Sequence, residues 1–167
     1  MSEKKTTSKK VHTLTLEDQT KLAQANVKKM EQGKIEVMKV VEGVQGAEKL
    51  AELLRAKGCP KVAVADLTRG DMAEALEDAF RYGKIVLAAV SYNAGVMPAM
   101  EDFLHHLKGK NFQKRTVALM ENGSWAPSAA RTMKEILSQM KEITVVEPTV
   151  TLRGAFKESD MPALEAL

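Results

Sequence analysis

Two stretches decide the fold, KIVLAAVSYNAGVMPAMEDFLHHL (84–107) and KRTVALMENGSWAPSAARTMKEIL (114–137). Each has a continuous apolar run, then a short loop rich in Asn, Gly and Ser with one aromatic residue, and then an amphipathic stretch. This order is typical of a buried strand, a loop and a helix. In an open parallel sheet, the loops at the carboxyl ends of neighbouring strands form one crevice, where ligands bind. We therefore expect Tyr92 and Trp125 to face the same cleft.

The segments before and after this pair continue the alternation of helix and strand. AEKLAELLRAKG (47–58) predicts a helix that ends at Gly58, and KVAVADL (61–67) predicts a short buried strand. ITVVEPTVTLRG (143–154) predicts the last strand, with Pro148 marking an edge position or a break. SDMPALEAL (159–167) is typical of a short final helix.

One more helix is predicted between the second and third strands, at MAEALEDAFRYG (72–83). Thr68 or Asp71 is its expected N-terminal cap. Its predicted buried residues are Ala75, Leu76, Ala79 and Phe80. Strands separated by helices of about a dozen residues imply right-handed crossovers. The sequence therefore predicts an α/β fold, a three-layer αβα sandwich around a doubly wound parallel sheet.

Composition sets the class of protein. The chain has 167 residues, 44% apolar and 28% charged, which is typical of one globular domain. The net charge of +3 is concentrated in the opening MSEKKTTSKK (1–10), so a nucleic-acid partner is not expected. No apolar run approaches the roughly 18 residues that span a bilayer. The single cysteine, Cys59, excludes an intramolecular disulfide, and we expect a cytoplasmic protein without a membrane partner.

The two loops carry a family resemblance. SYNAGVMPAMEDFLHHLK and ENGSWAPSAA resemble the flavodoxin-like domain at the carboxyl end of flavodiiron proteins (A-type flavoproteins) over residues 48–167. In that family an S-x-T-Y-N-x-G loop and an N-G-S-W or G-S-x-G-W loop surround FMN. The resemblance implies a flavodoxin-like strand order of 2-1-3-4-5, FMN as cofactor, and redox proteins as partners.

The resemblance also implies which residues contact the flavin ring. One side would be lined by the loop after the third strand: Ser91, Tyr92, Asn93, Ala94 and Gly95. The other would be lined by the loop after the fourth strand: Asn122, Gly123, Ser124 and Trp125. Backbone N–H groups of tight loops can hydrogen-bond the flavin carbonyls, and an aromatic side chain can cover a ring face. Taken singly, a loop tyrosine such as Tyr92 is more often a surface anchor, and a lone tryptophan such as Trp125 is more often a packing residue. The Asn122-Gly123 pair by itself is a common turn signal.

The phosphate side departs from the family pattern. The family places an S/T-x-x-G-x-T type loop after the first strand, where hydroxyl and N–H groups hold the phosphate. Here Glu42 and Ala47 stand at the first and last hydroxyl positions, and no Ser or Thr lies between Lys21 and Thr68. Gly43 and Gly46 could still expose backbone donors. A carboxylate at Glu42 would repel a phosphate dianion.

The first strand and the segment before it leave alternatives open. We predict the strand at 35–41, although VHTLTL (11–16) is a competing candidate and 34–57 could instead be a helix broken at its glycines. A disordered basic tail is expected over 1–13 and an extra helix over 14–33, with the flavodoxin-like domain at 34–167. Residues 48–167 resemble the family, whereas the residues before them do not. A fusion, a divergent segment or an engineered chimera would produce such a sequence.

The inventory of reactive residues limits other chemistries. His12, His105 and His106 are the only histidines, so we do not expect this sequence to contain the metal-dependent oxidase half of flavodiiron proteins or a metal site. No nucleophile motif or nucleotide-binding glycine motif is present, and no catalytic acid or base is predicted. Two functions remain. One is an FMN-binding electron-transfer domain, at most a flavin redox component. The other is a cofactor-free scaffold or interaction module.

Overall fold

The fold is built around one mainly parallel sheet. A computed structural model describes residues 34–39, by their backbone, and 45–167. The strands are β1 (Lys34–Lys39), β2 (Lys61–Asp66), β3 (Lys84–Tyr92), β4 (Gly95–Val96), β5 (Arg115–Asn122), β6 (Ile143–Val145) and β7 (Val150–Leu152). The helices are α1 (Gln45–Ala56), α2 (Met72–Arg81), α3 (Pro98–Gly109), α4 (Ala129–Leu137) and α5 (Met161–Glu165), with a 3-10 turn at Glu158–Asp160.

The strand order confirms the predicted topology. Hydrogen-bonded neighbours run β2-β1-β3-β5-β6, and β7 also pairs with β5 in parallel. Since β6 and β7 are two pieces of the predicted last strand, the order is 2-1-3-4-5. The break between them includes Pro148, as the sequence predicts. The strand at the start of the domain is also confirmed, because β1 pairs with both β2 and β3.

Helices cover both faces of the sheet, and alternate strand residues point to each. The three-helix face, formed by α2, α3 and α4, packs on Ile85, Leu87 and Ala89 of β3. The two-helix face, formed by α1 and α5, packs on Val86 and Ala88. This alternation follows from the two-residue period of a strand, and it explains why β3 reads as a continuous apolar run.

Local signals set most helix ends. Gly58 adopts φ +85°, and the N–H of Cys59 donates to the carbonyl of Leu54, so the predicted cap after α1 is confirmed. Of the two caps proposed for α2, Asp71 is the correct one, since its carboxylate accepts from the N–H of Ala73 at 2.7 Å. Thr68 instead donates its hydroxyl proton to Asp66.

Some predicted details were wrong. Phe80 is 36% exposed rather than buried, because it lies at the end of α2, where its ring meets Phe112 edge to face at a centroid distance of 5.4 Å. The third and fourth strands continue two residues past the apolar runs KIVLAAV (84–90) and KRTVALM (114–120) that predict them, to Tyr92 and Asn122. The expected tail at 1–13, the expected helix at 14–33 and residues 40–44 lie outside the described residues. None of the described helices is long and apolar enough to cross a bilayer.

Candidate cofactor site at the carboxyl edge of the sheet

The loop after β3 is a tight hairpin. Ser91 pairs with Val96 and Tyr92 pairs with Gly95 in an antiparallel ladder, so Asn93 and Ala94 form a two-residue turn. Both have positive φ, 46° for Asn93 and 59° for Ala94, as a type I′ turn requires. An Asn at the first position is favoured, whereas Ala at the second is strained, because its Cβ approaches the following carbonyl oxygen. The predicted loop at 91–95 is therefore a rigid projection of the strand.

Ser91 connects this hairpin to the start of α4. Its hydroxyl oxygen accepts the N–H groups of Ser128 at 2.8 Å and Ala129 at 3.2 Å. In return, the hydroxyl of Ser128 donates to the carbonyl of Gly95 at 2.9 Å. The first N–H groups of a helix lack partners within the helix, and here a neighbouring strand supplies one. The two loops are thereby held together by hydrogen bonds in both directions.

Glu121 provides a second anchor beneath the same helix end. Its side chain is buried, and one carboxylate oxygen accepts the N–H of Ala130 at 2.9 Å. The other accepts the hydroxyl proton of Thr151 at 3.0 Å. A negative charge at a helix N-terminus is favourable, because the dipole places partial positive charge there. No sequence motif points to Glu121, although its parity with Val117 and Leu119 marks it as facing the three-helix side.

Asn122 and Gly123 shape the loop after β5 from within. The side-chain amide of Asn122 donates to the carbonyl of Gly154 at 2.9 Å and accepts the N–H of Gly154 at 3.0 Å. The N–H of Gly123 donates to the carbonyl of Leu152 at 3.1 Å. A Cβ on Gly123 would lie 3.0 Å from the hydroxyl oxygen of Ser91 and 3.1 Å from the Cα of Pro127. Glycine at 123 therefore lets the two loops approach closely.

Two aromatic side chains project from this interlocked pair of loops. Tyr92 is 49% exposed and Trp125 is 94% exposed. Asn93, Ala94 and Ser124 are also exposed. Trp125 therefore does not pack into the core, which removes the packing role that a lone tryptophan most often has. The structure brings the loops at 91–95 and 122–125 together at one edge of the sheet, and direct flavin contact by their residues stays a prediction.

The start of α1, where the described chain resumes after β1, lies in a different environment. Gly43 and Glu42 lie outside the described residues. Gly46 and Ala47 are buried in the first turn of α1. A Cβ on Gly46 would lie 2.7 Å from Cδ1 of Leu152 and 3.1 Å from the sulfur of Met120, so this glycine serves close packing of α1 on the sheet. Ala47 is 0% exposed, and a hydroxyl at this position would enter the apolar core.

Structural comparison shows that the fold is flavodoxin-like. The rubredoxin:oxygen oxidoreductase of Desulfovibrio gigas superposes with a TM-score of 0.73 at 17% identity, over 90% of this chain and 38% of that one. A flavodiiron protein variant from Thermotoga maritima gives 0.65 at 24% identity, over 90% and 40%. An archaeal flavodoxin gives 0.67 at 18% identity, over 80% and 92%. This chain thus spans about two fifths of the two longer proteins.

No protein-family model matches the sequence, and no curated protein matches it. The likeness at these identities concerns the fold.

Proposed function

We propose that the chain is an FMN-binding electron-transfer domain whose loops at 91–95 and 122–125 hold the flavin ring. The observation that carries the proposal is the 94% exposure of Trp125 on a loop anchored on both sides. A tryptophan offers a large apolar surface, and leaving it in water forgoes roughly 1.5–3 kcal/mol of burial. A planar ring system is a suitable partner for such a surface. FMN, when bound, would supply reversible electron transfer between redox proteins.

The chain itself would position the flavin between loops that are held in place by hydrogen bonds. Ser91 holds the start of α4 against the hairpin, and Glu121 holds it on β5, so Tyr92 and Trp125 project from elements that are tied together. Preorganised elements lose little conformational entropy when a ligand binds. The proposal assigns no side chain as a catalytic acid or base.

A cofactor-free interaction module is the second candidate, and the phosphate side favours it. No Ser or Thr lies between Lys21 and Thr68, and the hydroxyl of Thr68 is already bonded to Asp66 at 2.7 Å. Because Ala47 is buried in the first turn of α1, substituting it with Thr would place the hydroxyl in the apolar core. The flavin ring would therefore have to supply most of the binding free energy.

Titration of FMN fluorescence tests the proposal. We expect quenching in the parent protein, and a loss of affinity of about tenfold in Trp125→Ala, which corresponds to about 1.4 kcal/mol. The free energy of unfolding should change by no more than about 0.5 kcal/mol, because the side chain is exposed. Phe80→Ala is the matched control, since Phe80 is a partly exposed aromatic on α2, and it should bind FMN like the parent.

Unquenched FMN that dialyses away freely from the folded parent protein would refute the electron-transfer proposal and leave the interaction module. Equal affinity of the parent and Trp125→Ala would refute the role given to this loop.

A further inference from the structure

Arg115, the first residue of β5, has no carboxylate partner in the part of the chain that the structure describes. The Nη1 atom of its guanidinium donates to the carbonyl oxygens of Gln113 at 3.1 Å and Lys114 at 3.2 Å. Its Nη2 atom donates to the carbonyl oxygen of Phe80 at 3.0 Å, and its Cζ lies 5.7 Å from the centre of the Phe112 ring. All these contacts are uncharged, whereas a guanidinium forms its strongest hydrogen bonds with anionic oxygens.

The same guanidinium keeps N–H groups for a further acceptor. A guanidinium has five N–H donors, and Nη2 uses only one of its two. The Nε atom of Arg115 is buried, and no acceptor among the described residues bonds to it. A buried donor without an acceptor is unfavourable, and more so when it belongs to a charged group. An anion beside this side chain would therefore offset its charge and occupy at least one of its free donors.

A cavity of about 320 Å³ opens beside the guanidinium. Among the described residues, its lining holds two cationic side chains, two amide side chains and one aromatic ring, but no carboxylate: Lys114, Arg115, Asn111, Gln113 and Phe80. Sites for small molecules begin at about this volume, roughly 300 Å³, and combine apolar walls with a few polar groups. This lining therefore offers an anion positive charge, hydrogen-bond donors and one apolar wall.

Acidic residues on the neighbouring elements pair with other cations. Glu77 and Asp78, in the second half of α2, both form ion pairs with Arg81. Glu142, which directly precedes β6, pairs with Lys141 at 3.6 Å. These carboxylates therefore do not neutralise the cations that line the cavity.

The backbone holds Lys114 in an uncommon conformation. Its φ is 55°, in the left-handed region, where a Cβ is unfavourable. Asn111 also has a positive φ of 59°, but there the conformation ends α3, and the N–H of Phe112 bonds the carbonyl of Leu107 at 3.0 Å. Glycine would be unstrained at position 114, so a lysine there favours a use for its ammonium group.

We propose that Arg115 and Lys114 bind the oxyanion of a small molecule, a phosphate or carboxylate group, in this cavity. Its oxygen atoms would accept from the free N–H of Nη2 and from the Lys114 ammonium, and the rest of the molecule would pack against Phe80. The site is independent of flavin binding, because it adjoins the amino end of β5, whereas the loops at 91–95 and 122–125 lie at the carboxyl edge of the sheet.

An NMR titration tests this site with two probes, inorganic phosphate and benzoate, at an ionic strength held constant with chloride. The readout is the Nε–H signal of Arg115, because burial protects this proton from exchange with water. We expect a saturable shift with a dissociation constant on the order of 1 mM. Tighter binding of phosphate would support a phosphoryl ligand. Tighter binding of benzoate would support a carboxylate on a ring that packs against Phe80.

The Lys114→Gly variant separates binding from folding. Glycine is unstrained at this φ, so the urea midpoint should not fall, while the affinity for the tighter probe should drop about fivefold with the loss of the ammonium group. Arg153→Met is the matched control. It removes one positive charge from an exposed position after β7, and it should bind the probe like the parent.

Three results would overturn the proposal. The first is an Nε–H signal that does not shift, or that shifts linearly up to about 50 mM of both probes, because ionic screening needs no site. The second is equal affinity of the parent and Lys114→Gly. The third is an equal loss of affinity in Lys114→Gly and Arg153→Met, since net charge alone would then account for the binding.

Discussion

The loops after β3 and β5 differ from the start of α1, where the described chain resumes after β1, in how they are held in place. The loop pair is fastened by bonds that cross between elements, from Ser91 and Glu121 to the start of α4. The first turn of α1 is held by apolar packing, with Gly46 against Leu152 and Met120. One edge of the sheet therefore holds a loop pair joined by polar bonds beside a helix start that is packed into the core.

Of the substitutions that test this difference, replacing Glu121 should lower the free energy of unfolding the most. Glu121→Ala leaves the N–H of Ala130 and the hydroxyl of Thr151 without their acceptor, and we expect a loss of about 2–4 kcal/mol in the free energy of unfolding. Urea denaturation measures it. Glu135→Ala removes an exposed carboxylate on α4, and as the control it should cost no more than about 0.5 kcal/mol. Equal losses in the two variants would mean that the buried cap does not hold the loops.

Substituting one glycine with alanine in each region should give the next largest change in the free energy of unfolding. Gly123→Ala should cost about 1–3 kcal/mol, because its Cβ would press on the backbone of Pro127, which cannot easily move. Gly46→Ala should cost less than about 1 kcal/mol, since its Cβ would meet only the ends of Leu152 and Met120 side chains. Chemical denaturation of both variants checks the order, and a reversed order would contradict the distinction drawn between the regions.

Relieving strain in the hairpin should stabilise the protein. Ala94 has φ 59°, where a Cβ is unfavourable, so Ala94→Gly should raise the free energy of unfolding by about 0.5–1 kcal/mol. The same substitution at Ala99, within α3, should have the opposite sign, because glycine is a poor helix former. Thermal unfolding of the two variants provides the measurement. A loss of stability in Ala94→Gly would show that the hairpin is not strained.

The smallest expected effect concerns the exposed ion pair between Lys134 of α4 and Glu147. A hydrogen bond from Lys134 holds the pKa of Glu147 below its ordinary value of 4.5, with a further contribution from the N–H of Thr149. Because the folded pKa is lowered, the pair stabilises the fold above the ordinary pKa and loses this contribution as the pH falls through the lowered value. Lys134→Met should raise the Glu147 pKa in an NMR titration. An unchanged pKa would show that Thr149 alone sets it.

The fold was predictable because its signals are local and repeated. Apolar runs, amphipathic stretches and the cap at Gly58 fixed the elements, and the crossover rule then fixed the topology. Phe80 was misplaced because its position on the helix stripe predicted burial, while its place in the last turn of α2 leaves it at the rim. The hairpin was missed because Asn-Ala lacks the glycine that usually marks a type I′ turn.

The candidate site was predictable only in part, for a physical reason. Short motifs identified the two loops, but the bonds that hold them join residues far apart in sequence. Asn122 bonds Gly154, 32 positions away, and Ser91 bonds Ser128, 37 positions away. No local pattern encodes such a pairing. The exposure of Trp125 likewise depends on what the surrounding elements leave uncovered.

The two hydrogen bonds between Asn122 and Gly154 also affect the deamidation of Asn122. Asn-Gly pairs deamidate when the glycine nitrogen attacks the side-chain carbonyl carbon of the asparagine. Here that nitrogen is turned toward the carbonyl of Leu152, and the Asn122 amide is held by two bonds to Gly154. The folded structure therefore slows deamidation at the Asn122-Gly123 bond. Conversion of Asn122 to aspartate or isoaspartate requires this edge of the sheet to open, so the amount of product measures how often it opens.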